Sequence, residues 1–145
     1  MDDLEVRAAE TDRERDDAFA VRRTVFVEEQ GVDEELEYDD HDETAVHFVA
    51  YDGTEPIGAA RLRESEAGVG KVERVAVLAS HREDGVGRAL MDALERRAID
   101  AGFTALKLHS QTQAAGFYRS LGYERHGEAF AEAGIPHVEM RKAID

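Results

Sequence analysis

The amino-acid sequence predicts a mixed α/β sheet with helices on its faces, in the order βαβββαβαββ. Three observations lead there. Short apolar segments separated by turn residues recur between residues 45 and 77. The clearest helical spacing in the chain follows them at residues 85–101. Strand-like and helix-like segments then alternate to residue 142.

Residues 4–8 read as a short strand. Thr11-Asp12-Arg13-Glu14 is a capping box, in which a hydroxyl and a carboxylate satisfy the first free amides of a helix. That helix is expected to run to about residue 27, with Ala18, Val21 and Val25 on one face. Residues 28–43 are polar and acidic with little period and read as loop or short helix. Apolar segments 45–51 and 57–63 meet across Asp52-Gly53, a hairpin signal. Gly68 and Gly70 mark another turn before a third strand at 71–77. Within 85–101, Val86, Ala89, Leu90, Ala93, Leu94 and Ala98 share a helix face, and Gly102 ends it. Residues 105–110 read as a strand. Ala114, Phe117, Tyr118 and Leu121 mark one face of a short helix stopped by Gly122. Two last strands, near 123–129 and 137–142, flank a turn at Glu132-Ala133-Gly134.

With 145 residues and 16.1 kDa, the chain is expected to be one domain, residues 1–145. Eighteen basic residues stand against 33 acidic ones, a net charge of −15. Phosphates would be repelled at long range, so neither nucleic acid nor an anionic membrane is an expected partner. No apolar run approaches the roughly 18 residues of a membrane helix. Met1-Asp2-Asp3-Leu4-Glu5 is acidic where a secretory signal is basic, which leads us to expect a cytoplasmic protein. The absence of cysteine excludes disulfides, thiolate metal sites and cysteine nucleophiles. The basic residues are 15 arginines and three lysines, Lys71, Lys107 and Lys142. Acidity of this kind suits a halophilic cytosol of molar salt, because salt screens self-repulsion; an ordinary acidic protein is the alternative. Asp39-Asp40-His41-Asp42 gathers oxygen and imidazole ligands, but adjacent residues cannot all face one ion. It reads as a solvated charge run, with no metal.

The informative junction is Val75-Ala76-Val77 followed by Arg82-Glu83-Asp84-Gly85-Val86-Gly87-Arg88. Two glycines opening a helix let backbone approach a ligand, and free amides with the helix dipole favour an anion such as a pyrophosphate. No Lys-Ser/Thr follows as in a Walker loop, and the three spaced glycines of a dinucleotide fold are missing. On these residues alone, a tight turn without ligand and a phosphate-binding regulator both remain open.

Arg82-x-x-Gly85-x-Gly87 after an apolar strand resembles the acyl-CoA pyrophosphate signature of the GNAT superfamily of N-acetyltransferases. Ala114-x-x-Phe117-Tyr118-x-x-Leu121-Gly122-Tyr123 resembles its second signature. Further likeness points to the ElaA/YjcF-like branch. It lies in Arg23-Thr24-Val25-Phe26-Val27-x-Glu29-Gln30, the acidic stretch with Asp39 and Asp42, Ala45-x-His47, Ser110-Gln111, and Gly134-Ile135-Pro136-His137-x-x-Met140. The resemblance implies a mostly antiparallel central sheet with helices on both faces and a splayed strand pair that admits acyl-CoA. It implies acetyl-CoA as acyl-donor cosubstrate and direct transfer to a primary amine, on a small molecule or a protein. A homodimer is expected by resemblance alone, since no exposed apolar stripe in the sequence points to one.

Carried over residue by residue, the backbone of Val75, Ala76 and Val77 would bind the pantetheine arm and polarise the thioester carbonyl. The segment Arg82, Glu83, Asp84, Gly85, Val86, Gly87 and Arg88 would hold the pyrophosphate. Glu83 and Asp84 depart from the basic or small residues usual there, so their carboxylates are expected to point to solvent. Tyr118 would protonate the leaving thiolate; by periodicity alone it reads instead as a core aromatic beside Phe117 on the helix's apolar face. Glu73 is the candidate general base and shares a face with Val75 and Val77 unless a bulge changes parity; otherwise it is a strand residue paired with Lys71 or Arg74. Glu29, Gln30, His47, Gln111 and His137 are candidates for the acceptor pocket, and each also has a structural reading. A non-catalytic acyl-CoA sensor or interaction module is the alternative function.

Overall fold

The computed structural model describes residues 3–144. The chain runs β1 (Leu4–Ala8), α1 (Asp12–Arg22), a wider helical segment (Arg23–Glu29), α2 (Glu34–Glu37) and a 3₁₀ turn (Asp40–Glu43). Then come β2 (Val46–Asp52), β3 (Glu55–Glu66), β4 (Val69–Val77), α3 (Val86–Asp100), β5 (Ala105–Gln111) and α4 (Ala115–Ser120). Three strands close the chain: β6 (Glu124–Arg125), β7 (Phe130–Glu132) and β8 (Ile135–Ala143). The expected capping box is present, with the Glu14 amide donating to Thr11 Oγ1 at 3.1 Å and the Thr11 amide donating to Glu14 Oε1 at 3.2 Å.

Two expectations need correction. The first helix is α-helical only to Arg22; from Arg23 it widens into π geometry, with the Gln30 amide donating to the Val25 carbonyl at 3.1 Å. The strand expected at 123–129 is only the two-residue β6, and a separate short strand, β7, follows it; each pairs with the long β8. Gly127, with φ of 89°, lies in the break between them.

The eight strands form one sheet in the order β1-β2-β3-β4-β5-β8-β6, with β7 also on β8. Every pairing is antiparallel except β4–β5. One face packs against α3 and α4 through Phe48, Leu62, Val72, Leu90, Leu94, Leu106, Tyr118 and Met140. The other face carries α1 over β2, β3 and the end of β4, through Ala18, Val21, Val25, Val49, Ala59 and Ala76.

Two irregularities in β4 open the sheet. The parallel ladder with β5 pairs Val69 through Val72 with Ala105 through Leu108 and goes no further. On the β3 side, Arg61 faces Glu73 but Ala59 faces Ala76, so Arg74 and Val75 together oppose Ala60. This bulge holds Arg74 at φ 58°, a left-handed conformation that costs energy in a residue with a Cβ. It also changes parity: Ala76 packs under α1, on the side where Glu73 meets Arg61, whereas Val75 and Val77 pack toward the α3 core. Glu73 therefore does not share a face with Val75 and Val77.

Candidate active site

Where β4 and β5 part, a cleft of about 1040 Å³ opens between the strands, the start of α3, α4 and the segment after α1. At one end α3 begins at Gly85, whose φ of 85° suits glycine, with no side chain capping the helix. The Ala89 amide makes the first bond back to the Gly85 carbonyl at 3.0 Å, which leaves the preceding amides free for an anion. Gly87 lies against α4: a Cβ there would come within 3.1 Å of the Phe117 ring.

Arg82 uses its side chain in a way the sequence does not reveal. Its Nε donates to the Val77 carbonyl at 3.0 Å, and its two terminal nitrogens grip Glu29 at 2.7 and 2.8 Å. The helical widening at Arg23–Glu29 brings Glu29 to this loop, and the pair ties the α1 segment to the start of α3. Glu83 is exposed with φ of 73° and lines the cleft, while Asp84 is exposed and does not line it. Val75, Ala76 and Val77 border the cleft beyond the last β4–β5 pair.

Tyr118 is buried in α4, its ring edge-on to Phe117 at 5.0 Å and to Tyr123 at 5.9 Å, and it reaches the cleft. It is the core aromatic that periodicity predicts, and it also borders the cleft. Among the described residues its hydroxyl has no hydrogen-bond partner, and burial pushes its pKa well up, so it remains a proton donor at neutral pH.

Glu73 sits differently from a general base. Its Oε1 accepts from Arg61 and Arg63, both at 2.7 Å, and Lys71 lies 3.2 Å from Oε2. Burial works to raise its pKa, but the Arg63 hydrogen bond and the charges of Arg61 and Lys71 outweigh it and hold the carboxyl down at about 2. Such a carboxylate anchors cations and takes up protons poorly. Its folded pKa is depressed below the ordinary value, so its contribution is present above about pH 4.5 and is lost as pH falls toward 2, on the order of 3 kcal/mol in all. Glu73→Gln should therefore show its largest stability deficit near neutrality, with the gap to wild type closing as acid is added. Urea unfolding of both proteins across this range measures it; a gap independent of pH would contradict the assignment.

Glu73 belongs to a larger ion network. Arg22 binds Glu37 and Asp42 at 2.7 and 2.8 Å, and Arg61 binds Asp39, Asp42 and Glu73. Arg74, on the bulge, binds Glu37 at 3.1 Å and Asp39 at 3.2 Å. Asp42 is buried and Asp39 half-buried, and both are counterions for the buried Arg22 and Arg61 rather than solvated charges, whereas Asp40 and His41 are exposed, as expected of a solvated run.

His47 is also corrected. It is buried beneath α1, edge-on to Phe19 at 5.2 Å, with Nε2 donating to the Asp42 carbonyl at 2.8 Å, and it does not border the cleft. Burial lowers its pKa and keeps it neutral. The other acceptor-side candidates do meet at the cleft. Gln111 Nε2 donates to Gln30 Oε1 at 2.8 Å, linking β5 to the α1 segment, and His137 borders the cleft with Nδ1 donating to the Ile135 carbonyl at 2.7 Å. Sequence reasoning missed Arg63, Arg74, His109 and Glu132, which also line it. The alternation Lys107, His109, Gln111 along β5 was the available signal for His109.

A splayed parallel pair, a bulge on one of its strands and an uncapped glycine-opened helix beside it are the arrangement that the resemblance to the GNAT superfamily implies. The profile of the acetyltransferase (GNAT) domain matches residues 9–144. The chain is 47% identical over 135 residues to YjcF, an uncharacterized N-acetyltransferase of Bacillus subtilis (strain 168), covering 92% of this chain and 96% of the relative. A proposed N-acetyltransferase from Lactobacillus plantarum superposes with a TM-score of 0.91 at 31% identity, covering 97% of this chain and 98% of the other. Escherichia coli ElaA, at 23% identity, shares the fold with a TM-score of 0.83 over 96% of this chain and 97% of its own. The chain belongs to the GNAT acetyltransferase family, in its ElaA/YjcF-like branch, and is an acyltransferase of the kind that uses acyl-CoA donors. Among the described residues no helix is long and apolar enough to cross a membrane.

Proposed function

We propose that the protein transfers an acetyl group from acetyl-CoA to a primary amine by direct attack within a ternary complex. The observation that carries this reading is Tyr118, a buried residue whose hydroxyl has no partner among the described residues, at a cleft whose far end offers free helix amides. The residues fit the donor: the amides of Val86, Gly87 and Arg88 suit a pyrophosphate, and the backbone of Val75, Ala76 and Val77 lies where β4 has no partner on β5. Acetyl-CoA supplies an activated acyl group with a good thiolate leaving group. The chain's own part is to polarise the carbonyl with main-chain donors and to protonate the departing sulfur from Tyr118. A phenol with a raised pKa keeps its proton until a thiolate develops nearby.

A screen of primary amines for release of free CoA tests the proposal. Transfer to at least one amine is the expected result; binding of acetyl-CoA with no release from any amine favours the sensor reading instead. We further propose that the protein works in molar salt, on the strength of its −15 charge. Its unfolding temperature should then rise by several degrees, on the order of 5 °C, between dilute and molar KCl. An unfolding temperature indifferent to KCl would contradict the halophilic reading.

A further inference from the structure

Acetyl transfer to an amine needs a group that takes a proton from the ammonium, and Glu73, with three cations around it, is a poor one. The last β4–β5 pair is Val72 with Leu108, so the next residues, Glu73 and His109, stand where the strands separate. His109 is opposite Glu139 on β8 and follows Lys107 along β5 on the same face. It borders the cleft, its side chain is 22% exposed, and the Phe130 ring meets it edge-on at 5.0 Å. Its Nδ1 lies 3.0 Å from Glu132 Oε1. A carboxylate only accepts, so that contact fixes the proton on Nδ1 and leaves the lone pair of the neutral ring on Nε2. The carboxylate nearest Nε2, Glu139, is 3.7 Å away, beyond a hydrogen bond, and is itself held by Arg141 at 2.7 Å. His137 also borders the cleft, but its Nδ1 donates to the neutral Ile135 carbonyl and its Nε2 stands 3.7 Å from the second Glu132 oxygen, so only His109 has a ring nitrogen hydrogen-bonded to that carboxylate.

We propose that His109 is the general base of the transfer and that Glu132 is its positioning residue, fixing the tautomer and stabilising the imidazolium. This rests on the acetyl-transfer reading above. His109 Nε2 removes one proton from the acceptor ammonium and passes it to solvent. The freed nitrogen forms the bond to the acyl carbon as the carbon–sulfur bond breaks. Tyr118 gives its hydroxyl proton to the sulfur and is restored by the second proton that the nitrogen loses. The balance is one ammonium and one thioester consumed, and one amide, one thiol and one proton formed.

The test pairs two acceptors of similar size at about pH 7.5: ethylamine, which is protonated, and 2,2,2-trifluoroethylamine, which is not. His109→Gln should lower kcat/KM for ethylamine by ~10²–10⁴-fold, with the fluorinated amine changed by no more than about threefold. Acetyl-CoA affinity, read by calorimetry, should match wild type. Equal losses on both amines, or none on either, overturn the assignment. A second measurement needs no acceptor: nitrogen-15 NMR of the imidazoles at neutral pH should show His109 as the Nδ1–H tautomer, and Glu132→Gln should weaken that preference. An Nε2–H ring in the wild type overturns the proposal. Failure of acetyl-CoA to bind wild type would strike the transfer reading, which the tautomer result leaves distinguishable.

Discussion

Tyr118→Phe is expected to lower kcat for acetyl transfer by about 10²-fold or more while acetyl-CoA affinity stays within about twofold of wild type. The phenylalanine keeps the ring contacts with Phe117 and Tyr123, so α4 should hold its place. Only the hydroxyl is lost, and it makes no hydrogen bond within the described residues whose removal would strand a buried partner. An effect on turnover without an effect on binding is the mark of a group used in the transition state. Steady-state kinetics on the best amine of the screen, with calorimetry on the same preparation, measure both quantities. If kcat is unchanged, Tyr118 is a core aromatic and nothing more.

Arg61→Met should destabilise the protein by about 3–5 kcal/mol, the usual cost of removing one partner from a buried ion cluster. Arg61 is fully buried, and its loss takes a counterion at once from Asp39, Asp42 and Glu73. For a chain of this length the melting temperature should fall on the order of 10 °C. By contrast Arg7→Ala, which breaks exposed, solvent-screened pairs with Glu5 and Glu14, should leave the melting temperature nearly unchanged. Arg61 also joins the 39–42 segment to the strand that carries the bulge, so the variant should raise KM for the acceptor even where it remains folded. Thermal unfolding of the two variants side by side separates these cases; equal, small shifts would show that the buried network contributes little.

The fold was legible wherever local chemistry decides local structure. Thr11 and Glu14 announce a capped helix, Asp52-Gly53 a hairpin, and Val86 through Ala98 an amphipathic helix, and each is present. Gly85 and Gly87 likewise foretold an uncapped helix start beside the cleft. What escaped was set by contacts distant in sequence. His47 reads as a pocket residue by resemblance, but α1 covers it through Phe19. Glu73 reads as a base because alternation ignores the bulge at Arg74, and because three cations from two strands meet it only in the fold. Asp39 and Asp42 look solvated in a chain this acidic, yet Arg22 and Arg61, far away in sequence, need them as counterions. The pairing of His109 with Glu132 joins β5 to the end of β7, and no spacing rule connects them.

The central claim is that this cleft binds an acyl-CoA and delivers its acyl group. Calorimetric titration of acetyl-CoA into the protein in molar KCl, with nucleotides lacking the pantetheine arm as controls, addresses it most directly. Saturable binding at micromolar concentrations, with no heat from the controls, is the predicted result. Absence of binding up to millimolar acetyl-CoA would contradict it, leaving the GNAT fold without its donor.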